Sequence, residues 1–283
     1  MKTKMKTVKV SIILPCYNVA DYMDNMFASL RNQTMQDIEI ICVDDKSTDN
    51  TVKKIREFMK SDKRISLYKL SKNHGASYAR NYGLKKANGK YVCFLDPDDF
   101  IENDFIEILY KTITKTKSDV AKAKFKVGDK YWQTHDFVKR NYLCFSSEHC
   151  SAMYNKKFLL ENNILYPEDV ITGEDAVFLS NLVLHTNKIT TTDDTEYHYV
   201  RREKSLDSEN LSHKQVLARI KMLDYKIQML KEHKFNIYED KIIFIQRHIL
   251  NHFCYAIDPK RISESDKHLL IKWFITNRKS FIA

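Results

Sequence analysis

Three carboxylates fall within four positions at Asp96-Pro97-Asp98-Asp99, directly after the apolar run Tyr91-Val92-Cys93-Phe94-Leu95. Such a run reads as a buried strand. Carboxylates gathered where a strand ends cannot be buried unpaired, because desolvating an ionised carboxyl costs several kcal/mol. They call for a cation. Hard oxygen donors suit Mg2+ or Mn2+, and Mg2+ is commonly held by one or two carboxylates plus substrate phosphates. On these residues alone a solvated Asp-Pro turn stays open as a second reading. Asp44-Asp45 repeats the arrangement after Ile38-Glu39-Ile40-Ile41-Cys42-Val43. Further on, Gly173-Glu174-Asp175 opens a helical pattern. A carboxylate there can take a proton from a hydroxyl, or both acids can simply answer the positive end of the helix dipole.

The elements that must position these groups alternate. Val8 to Leu14 is a β-branched apolar run, and Ala20 to Asn32 carries Met23, Met26, Phe27 and Leu30 at helical spacing. The second strand leads into Ser47-Thr48-Asp49-Asn50, a set of helix caps, and a helix with Val52, Ile55, Phe58 and Met59 on one face. Ile65 to Leu70 is a third strand. Ala76 to Ala87 is a helix stopped by Asn88-Gly89, and Tyr91 to Leu95 is the fourth strand. Strands alternating with helices predict an α/β fold with a mostly parallel central sheet and flanking helices. Ligands bind outside the carboxyl ends of strands in such sheets, so both acid clusters are expected on one crevice. Short strands are expected between Val120 and His149, a helix over Ser151 to Asn163, another over Glu174 to His185, and a late strand over Thr190 to Val200. From Lys214 the chain reads as helical. Val216, Ile220, Leu223, Ile227 and Leu230 form one stripe, with Lys214, Arg219, Lys221, Lys226 and Lys231 as a basic complement.

At 283 residues the chain suffices for one large domain or a domain with an appendage. Its six cysteines include no C-x-x-C pair, and the basic segment Met1 to Lys9 leads into a strand, not a signal-peptide pattern. No run approaches the ~18 apolar residues of a bilayer span. These features predict a reducing, cytoplasmic setting. The net charge of +10 comes from lysines spread along the chain. No helix-turn-helix, zinc-finger or RNP pattern accompanies it, so nucleic acid is not an expected partner. A dinucleotide-dependent oxidoreductase is excluded by the want of G-x-G-x-x-G after the first strand; the whole chain has five glycines.

Four blocks in order combine: Val10-Ser11-Ile12-Ile13-Leu14-Pro15-Cys16-Tyr17-Asn18; Val43-Asp44-Asp45-Lys46-Ser47-Thr48-Asp49-Asn50-Thr51; Asn73-His74-Gly75-Ala76-Ser77-Tyr78-Ala79-Arg80-Asn81-Tyr82-Gly83; and Asp96 to Asp99. Together they resemble the family 2 glycosyltransferases, inverting enzymes of GT-A fold. The resemblance is strong over residues 8–125 and partial over 145–206. It implies a catalytic domain over 1–210, with a nucleotide-sugar-binding half at 8–125 and an acceptor-side half at 126–210, followed by a helical region at 211–283. It also implies a UDP-sugar donor and Mn2+ or Mg2+. The backbone of Pro15 would lie beside the base with Asn18 close by, Tyr17 would stack on it, and Asp45 would accept the uracil N3–H, with Asp44 ranked below it as a nucleotide-sugar-binding residue or else a structural cap. Arg80 would meet phosphate or base. Asp98 would ligate the metal, Asp96 would hold ribose or a metal-bound water, and Asp99 and His198 are further candidate ligands. Glu174-Asp175 resembles the family's E-D motif, with Asp175 as general base and Glu174 as the second choice. Tyr197 to Ser205 resembles the late segment that closes over the diphosphate, through Arg202 and Ser205. The Trp-x-Lys of many relatives is missing from Cys150 to Lys156, so the acceptor is not carried over.

The expected reaction moves a hexose or N-acetylhexosamine from a UDP-sugar to a hydroxyl of a growing surface glycan, of lipopolysaccharide, lipooligosaccharide or capsule type. The competing class is a non-catalytic nucleotide-sugar-binding module in a glycan-assembly complex. The expected partners are the nucleotide sugar and a glycan or lipid-linked glycan acceptor. For the C-terminal helices three roles compete: packing on the catalytic domain, a homodimer interface, and peripheral contact with the inner membrane face.

Overall fold

The structure is a computed structural model that describes residues 8–128, 130–132, 148–201, 211–232, 239–258 and 261–280. Its centre is a nine-stranded sheet in the order β3-β2-β1-β4-β8-β6-β9-β5, with β7 attached to β6. β1 (Val10–Cys16), β2 (Ile38–Asp44), β3 (Ile65–Lys69) and β4 (Tyr91–Phe94) run parallel, as the alternation with helices requires. The connecting helices are α1 (Asp24–Arg31), α2 (Thr51–Ser61) and α3 (Ala76–Lys86). Beyond β4 the sheet becomes mixed. β8 (Ala152–Asn155) inserts antiparallel between β4 and β6 (Val120–Val127), while β9 (Ile189–Tyr199) runs parallel to β6 with a register shift between Lys122 and Lys124. The short β5 (Phe100–Ile101) pairs antiparallel with β9, and β7 (Lys130–Trp132) with β6.

The sheet is covered on both faces, so its strands alternate between two cores and carry apolar residues at both phases of the period. Val10, Ile12, Leu14, Ile40, Cys42 and Cys93 face one core, completed by α1 and by α4 (Phe105–Thr116). Ile13, Ile41, Val43, Val92 and Phe94 face the other. That second core takes in α3, α5 (Lys156–Glu161), α6 (Glu174–His185) and the C-terminal helices α7 (His213–Glu232), α8 (Glu239–Ala256) and α9 (Glu264–Asn277).

Two expectations change. The predicted helix over Ser151 to Asn163 is instead strand β8 followed by the short α5. Ala152 and Tyr154 point into one core and Met153 into the other, the strand period. The slot between β4 and β6 overrides local helical propensity, and the Asn155 side chain then caps α5 by accepting from Lys157 N–H at 3.1 Å. On α7 the apolar stripe packs into the core through Val216, Leu223, Ile227 and Leu230, yet two residues of its basic complement, Arg219 and Lys226, are buried with it. No described helix is long and apolar enough to cross a membrane.

Gly89 shows how closely the strands are pinned at the end of the sheet opposite the acid clusters. Its N–H donates to Ser11 Oγ at 2.8 Å, and Ser11 Oγ donates to Glu39 at 2.6 Å. A Cβ on Gly89 would lie 2.7 Å from the Ser11 backbone nitrogen. Gly89→Ala is therefore expected to destabilise the fold by about 1–3 kcal/mol, read as a lower midpoint in chemical denaturation.

Candidate active site

The loops after β1 and β2 are fastened to each other at the carboxyl ends of the strands. Asn18 sits at φ 51°, in the left-handed region that Asn tolerates. Its Oδ1 accepts from Thr48 N–H at 2.8 Å, and its own N–H donates to Ser47 Oγ at 3.1 Å. Val19 N–H donates to Thr51 Oγ1 at 2.9 Å and Ala20 N–H to Asp49 Oδ2 at 3.1 Å. This lacing uses Ser47, Thr48, Asp49 and Thr51 of the Ser-Thr-Asp-Asn-Thr run and leaves Tyr17 48% exposed. Pro15 pairs with Val43 in the sheet just behind it.

Asp44 is buried and closes its own turn by accepting from Ser47 N–H at 3.2 Å. Asp45 is buried beside it and holds the next loop. Its Oδ1 accepts from His74 N–H and its Oδ2 from Gly75 N–H, each at 2.7 Å, while Asn73 Nδ2 donates to its carbonyl at 3.2 Å. Gly75 has φ 92°, a backbone open to glycine, so the Asn73-x-Gly75 pattern is a cradle for the Asp45 carboxylate.

That loop starts α3, which carries Arg80 into the interior at 5% exposure. The guanidinium forks. Nη2 donates to Asp96 Oδ1 at 2.8 Å and Nη1 to Glu174 Oε1 at 3.0 Å. Its plane lies 5.2 Å from the centre of the Tyr166 ring. Although burial opposes the charge, Asp96 and Glu174 hold the guanidinium well above its ordinary pKa. The next residue, Asn81, fixes the segment that leads toward Glu174: it donates to Tyr166 O at 2.9 Å and accepts from Tyr166 N–H at 3.0 Å.

Within the Asp96 to Asp99 run the acids separate. Asp96 and Asp98 are half-buried, whereas Asp99 is fully enclosed. Asp99 accepts from Tyr197 OH at 2.5 Å and from Val200 N–H at 2.8 Å, so both its oxygens serve to clamp the end of β9. Burial, and then the neighbouring Asp96, push its pKa up to about 7. His198 stacks on Phe100 with 4.3 Å between centroids, and its Nε2 lies 2.7 Å from Glu102. Among the described residues, the set that brings three metal-capable atoms within 4.8 Å of one another is Glu102, Glu196 and His198. Asp96 and Asp98 offer the hard, partly open carboxylates that suit a divalent cation shared with a diphosphate. Arg202 and Ser205 lie outside the described residues.

Asp175 stands in the first turn of α6 with Oδ1 accepting its neighbour Ala176 N–H at 2.7 Å. Burial, followed by the adjacent Glu174, raises its pKa to about 7, which suits a group that takes up a proton near neutrality. Several residues that sequence motifs do not single out also close around this point. His149 is buried with neither ring nitrogen hydrogen-bonded among the described residues, and burial followed by the Arg80 charge lowers its pKa to about 3. Lys122 donates to the Glu148 carbonyl at 3.0 Å. Tyr166 stacks face to face on Phe178 at 4.2 Å. Only the position of Tyr166 shortly before Glu174-Asp175 hints at its place; the others arrive through the β6–β8 pairing, which no local pattern announces.

The family model described as "Glycosyl transferase family 2" matches residues 11–172, and so spans all of these elements up to the E-D pair. This chain belongs to glycosyl transferase family 2. A poly(ribitol-phosphate) beta-glucosyltransferase from Bacillus spizizenii is 31% identical over 218 residues, covering 72% of this chain and 34% of that protein. The poly(ribitol-phosphate) beta-N-acetylglucosaminyltransferase TarS of Staphylococcus aureus is 27% identical over 208 residues, 70% of this chain and 36% of that protein. The match thus spans about a third of the length of each of these two relatives. The crystal structure of S. aureus TarS 1–349 in complex with UDP-GlcNAc superposes with a TM-score of 0.78 at 22% identity, covering 96% of this chain and 81% of that one. The family 2 chain accordingly has the GT-A fold.

The family 2 site carries two strains that mutation can expose. Arg80→Met leaves Asp96 and Glu174 facing each other without a cation and is expected to cost about 3 kcal/mol of stability, measured by chemical denaturation. For Asp175 the native pKa of about 7 lies above the ordinary 3.8. The native state therefore binds a proton more tightly than the unfolded chain, and stability falls as pH rises from about 4 to about 7. Asp175→Asn removes that penalty. It is expected to stabilise the protein by on the order of 2 kcal/mol above pH 7 and to have no such effect near pH 4, read from melting at several pH values.

Proposed function

We propose that the chain is an inverting glycosyltransferase that moves a hexose or N-acetylhexosamine from a UDP-sugar to a hydroxyl of a surface glycan. The single observation that carries this reading is the Arg80 fork, which joins Asp96, at the end of β4, to Glu174, beside the half-buried Asp175 with its raised pKa. A donor-binding acid and a proton-accepting acid thereby share one crevice.

In this reading Tyr17 stacks on the uracil. Each Asp45 oxygen accepts one backbone N–H and keeps a second lone pair, one of which meets the uracil N3–H. Asp98 and Asp96 would hold Mg2+ or Mn2+, which offsets the charge on the diphosphate leaving group when bound. The acceptor oxygen attacks the anomeric carbon, its proton passes to Asp175, and the bond to UDP breaks with its electron pair staying on the diphosphate. Ala176 N–H holds Asp175 Oδ1, leaving Oδ2 for the proton. By the resemblance, Arg202 and Ser205 would act on the diphosphate.

The names of the relatives support one class of acceptor. Poly(ribitol-phosphate) appears in the names of the B. spizizenii and S. aureus proteins, which supports a polyol-phosphate wall polymer over lipopolysaccharide or capsule. The reaction belongs on the cytoplasmic side, a placement supported by the free Cys16, Cys42, Cys93, Cys150 and Cys254.

The test is nucleotide release from UDP-, GDP- and dTDP-sugars with Mn2+, Mg2+ or EDTA, with and without a ribitol-phosphate polymer. Release from one UDP-sugar that requires the metal and rises with the polymer is the expected result. Asp175→Asn should lower transfer by at least about a thousandfold, in line with loss of a general base and its oriented acceptor, while UDP binding measured by calorimetry stays intact. Transfer that survives this substitution would sink the base assignment.

A further inference from the structure

Between Asp62 and Asp96 the chain holds eight lysines and arginines and no acid. Two of the eight are engaged: Arg64 by Asp62 at 2.6 Å, and Arg80 by the fork already described. The other six, Lys63, Lys69, Lys72, Lys85, Lys86 and Lys90, are exposed, and none forms an ion pair among the described residues. Acids that reach α3 from other segments are already engaged: Glu168 by Asn81 at 3.0 Å, Glu39 by the Asn88 N–H at 2.6 Å, and Asp45 by the His74 and Gly75 N–H groups.

The same stretch carries a ladder of rings. His74, Tyr78, Tyr82 and Lys86 follow at four-residue steps, the spacing that aligns side chains on one helical face. His74 stacks on Tyr78 with 4.1 Å between centroids and 14° between planes. Tyr78 meets Tyr82 at 6.4 Å, and Tyr82 meets Tyr68 of the edge strand β3 at 5.8 Å, edge to face. Lys86 Nζ lies 5.4 Å from the centre of the Tyr82 ring and 5.6 Å from that of Tyr68. All four rings are half-buried. Tyr197 and Tyr154 spend their hydroxyls inside the protein, on Asp99 and on the His149 carbonyl. The hydroxyls of Tyr68, Tyr78 and Tyr82 make no hydrogen bond to protein among the described residues. Three phenols, each a donor and an acceptor, thus stand ready beside exposed ammonium groups.

Unspent cations and phenols with no competing acid complement a polymer that carries both phosphates and hydroxyls. The rings stack largely on one another, so they present edges and hydroxyls and lack the free faces on which nucleobases stack. The ladder begins at His74, whose N–H holds Asp45 at the mouth of the site, and runs back along α3 for about 18 Å. We infer that this flank of α3 is a second binding site, for a phosphodiester-linked polyol or glycan polymer, and that it holds the acceptor chain at a distance from the reacting centre. Lys85 and Lys86 pair with the polymer's phosphates, and the phenols of Tyr68, Tyr78 and Tyr82 donate to its phosphate and hydroxyl oxygens. This rests on the reading of the chain as a glycosyltransferase that acts on such a polymer.

The test is calorimetric binding of a ribitol-phosphate polymer to the full chain without donor, beside inorganic polyphosphate and oligo-dT of equal charge. The polymer is expected to bind more tightly than either. Lys85→Gln with Lys86→Gln should weaken it about tenfold. Tyr68→Phe, Tyr78→Phe and Tyr82→Phe together keep every ring and remove only the hydroxyls, and should also weaken it about tenfold. In transfer assays KM for the polymer should rise by the same factor in both variants, while kcat and the KM for a short ribitol-phosphate acceptor stay unchanged. Unaltered affinity in either variant overturns the inference. Polyphosphate bound as tightly as the polymer would make the flank a general anion surface, and oligo-dT bound as tightly would make it a nucleic-acid face; either result also overturns it. Because binding needs no donor, ladder-dependent capture of the polymer by a protein that releases nucleotide from no sugar would uphold the site and refute the glycosyltransferase reading. Transfer to the short acceptor with no polymer bound would do the reverse.

Discussion

The Arg80 fork is the constraint on which the rest depends. A guanidinium at 5% exposure must be surrounded by acceptors, and it finds them on two segments 78 residues apart, Asp96 and Glu174. The planar geometry of the fork fixes both carboxylates relative to α3. α3 in turn is fixed by the Gly75 cradle on Asp45, and Asp45 continues β2. The relative placement of Asp45, Asp96 and Glu174 is thus set by one cation, the Gly75 loop and the sheet.

A second clamp works from the other side of the crevice. The Asp96 to Asp99 run would be a free turn if it were held only by β4. Tyr197 and Val200 at the end of β9 take both oxygens of Asp99, and Tyr197 OH also accepts from Asp96 N–H at 3.4 Å. Three adjacent acids thereby divide their labour. One is spent on structure, one on Arg80, and Asp98 stands between them, half-buried at the strand end. Burying one carboxylate so fully costs stability, and its raised pKa records that cost.

Much of this was legible in the chain. Strand ends followed by Asp44-Asp45 and by Asp96-Pro97-Asp98-Asp99 announce themselves because local apolar runs define the strands, and the acids then fall where parallel sheets bind ligands. Asp175 was visible as an acid opening a helix. The fate of Asp99 was not: residue type marks it as a ligand candidate, while its enclosure depends on a strand a hundred residues later. The helical reading of Ser151 to Asn163 failed because a gap between β4 and β6 decides that segment, and no periodicity within it records the gap. Arg219 and Lys226 looked like the solvated side of an amphipathic helix. One helix's pattern shows where its own apolar stripe lies, but not that a second layer, α8, will cover the opposite flank. Arg202 and Ser205 lie outside the described residues.

The sequence separations across the crevice also set an order of events as the chain acquires its structure. The β1-to-β4 unit closes on neighbouring βαβ pairings and can take shape from local contacts. The Arg80–Glu174 contact spans 94 residues and the Asp99–Val200 contact 101. Contacts of that separation pay a larger loop-closure entropy and slow the search for the native state. On a ribosome releasing the chain from its first residue, the β1-to-β4 unit would be in place before Glu174 and Val200 had been synthesised. Until β9 docks, Asp96, Asp98 and Asp99 would stand in water as ordinary acids, so the chemistry of the site is among the last properties of the fold to arrive.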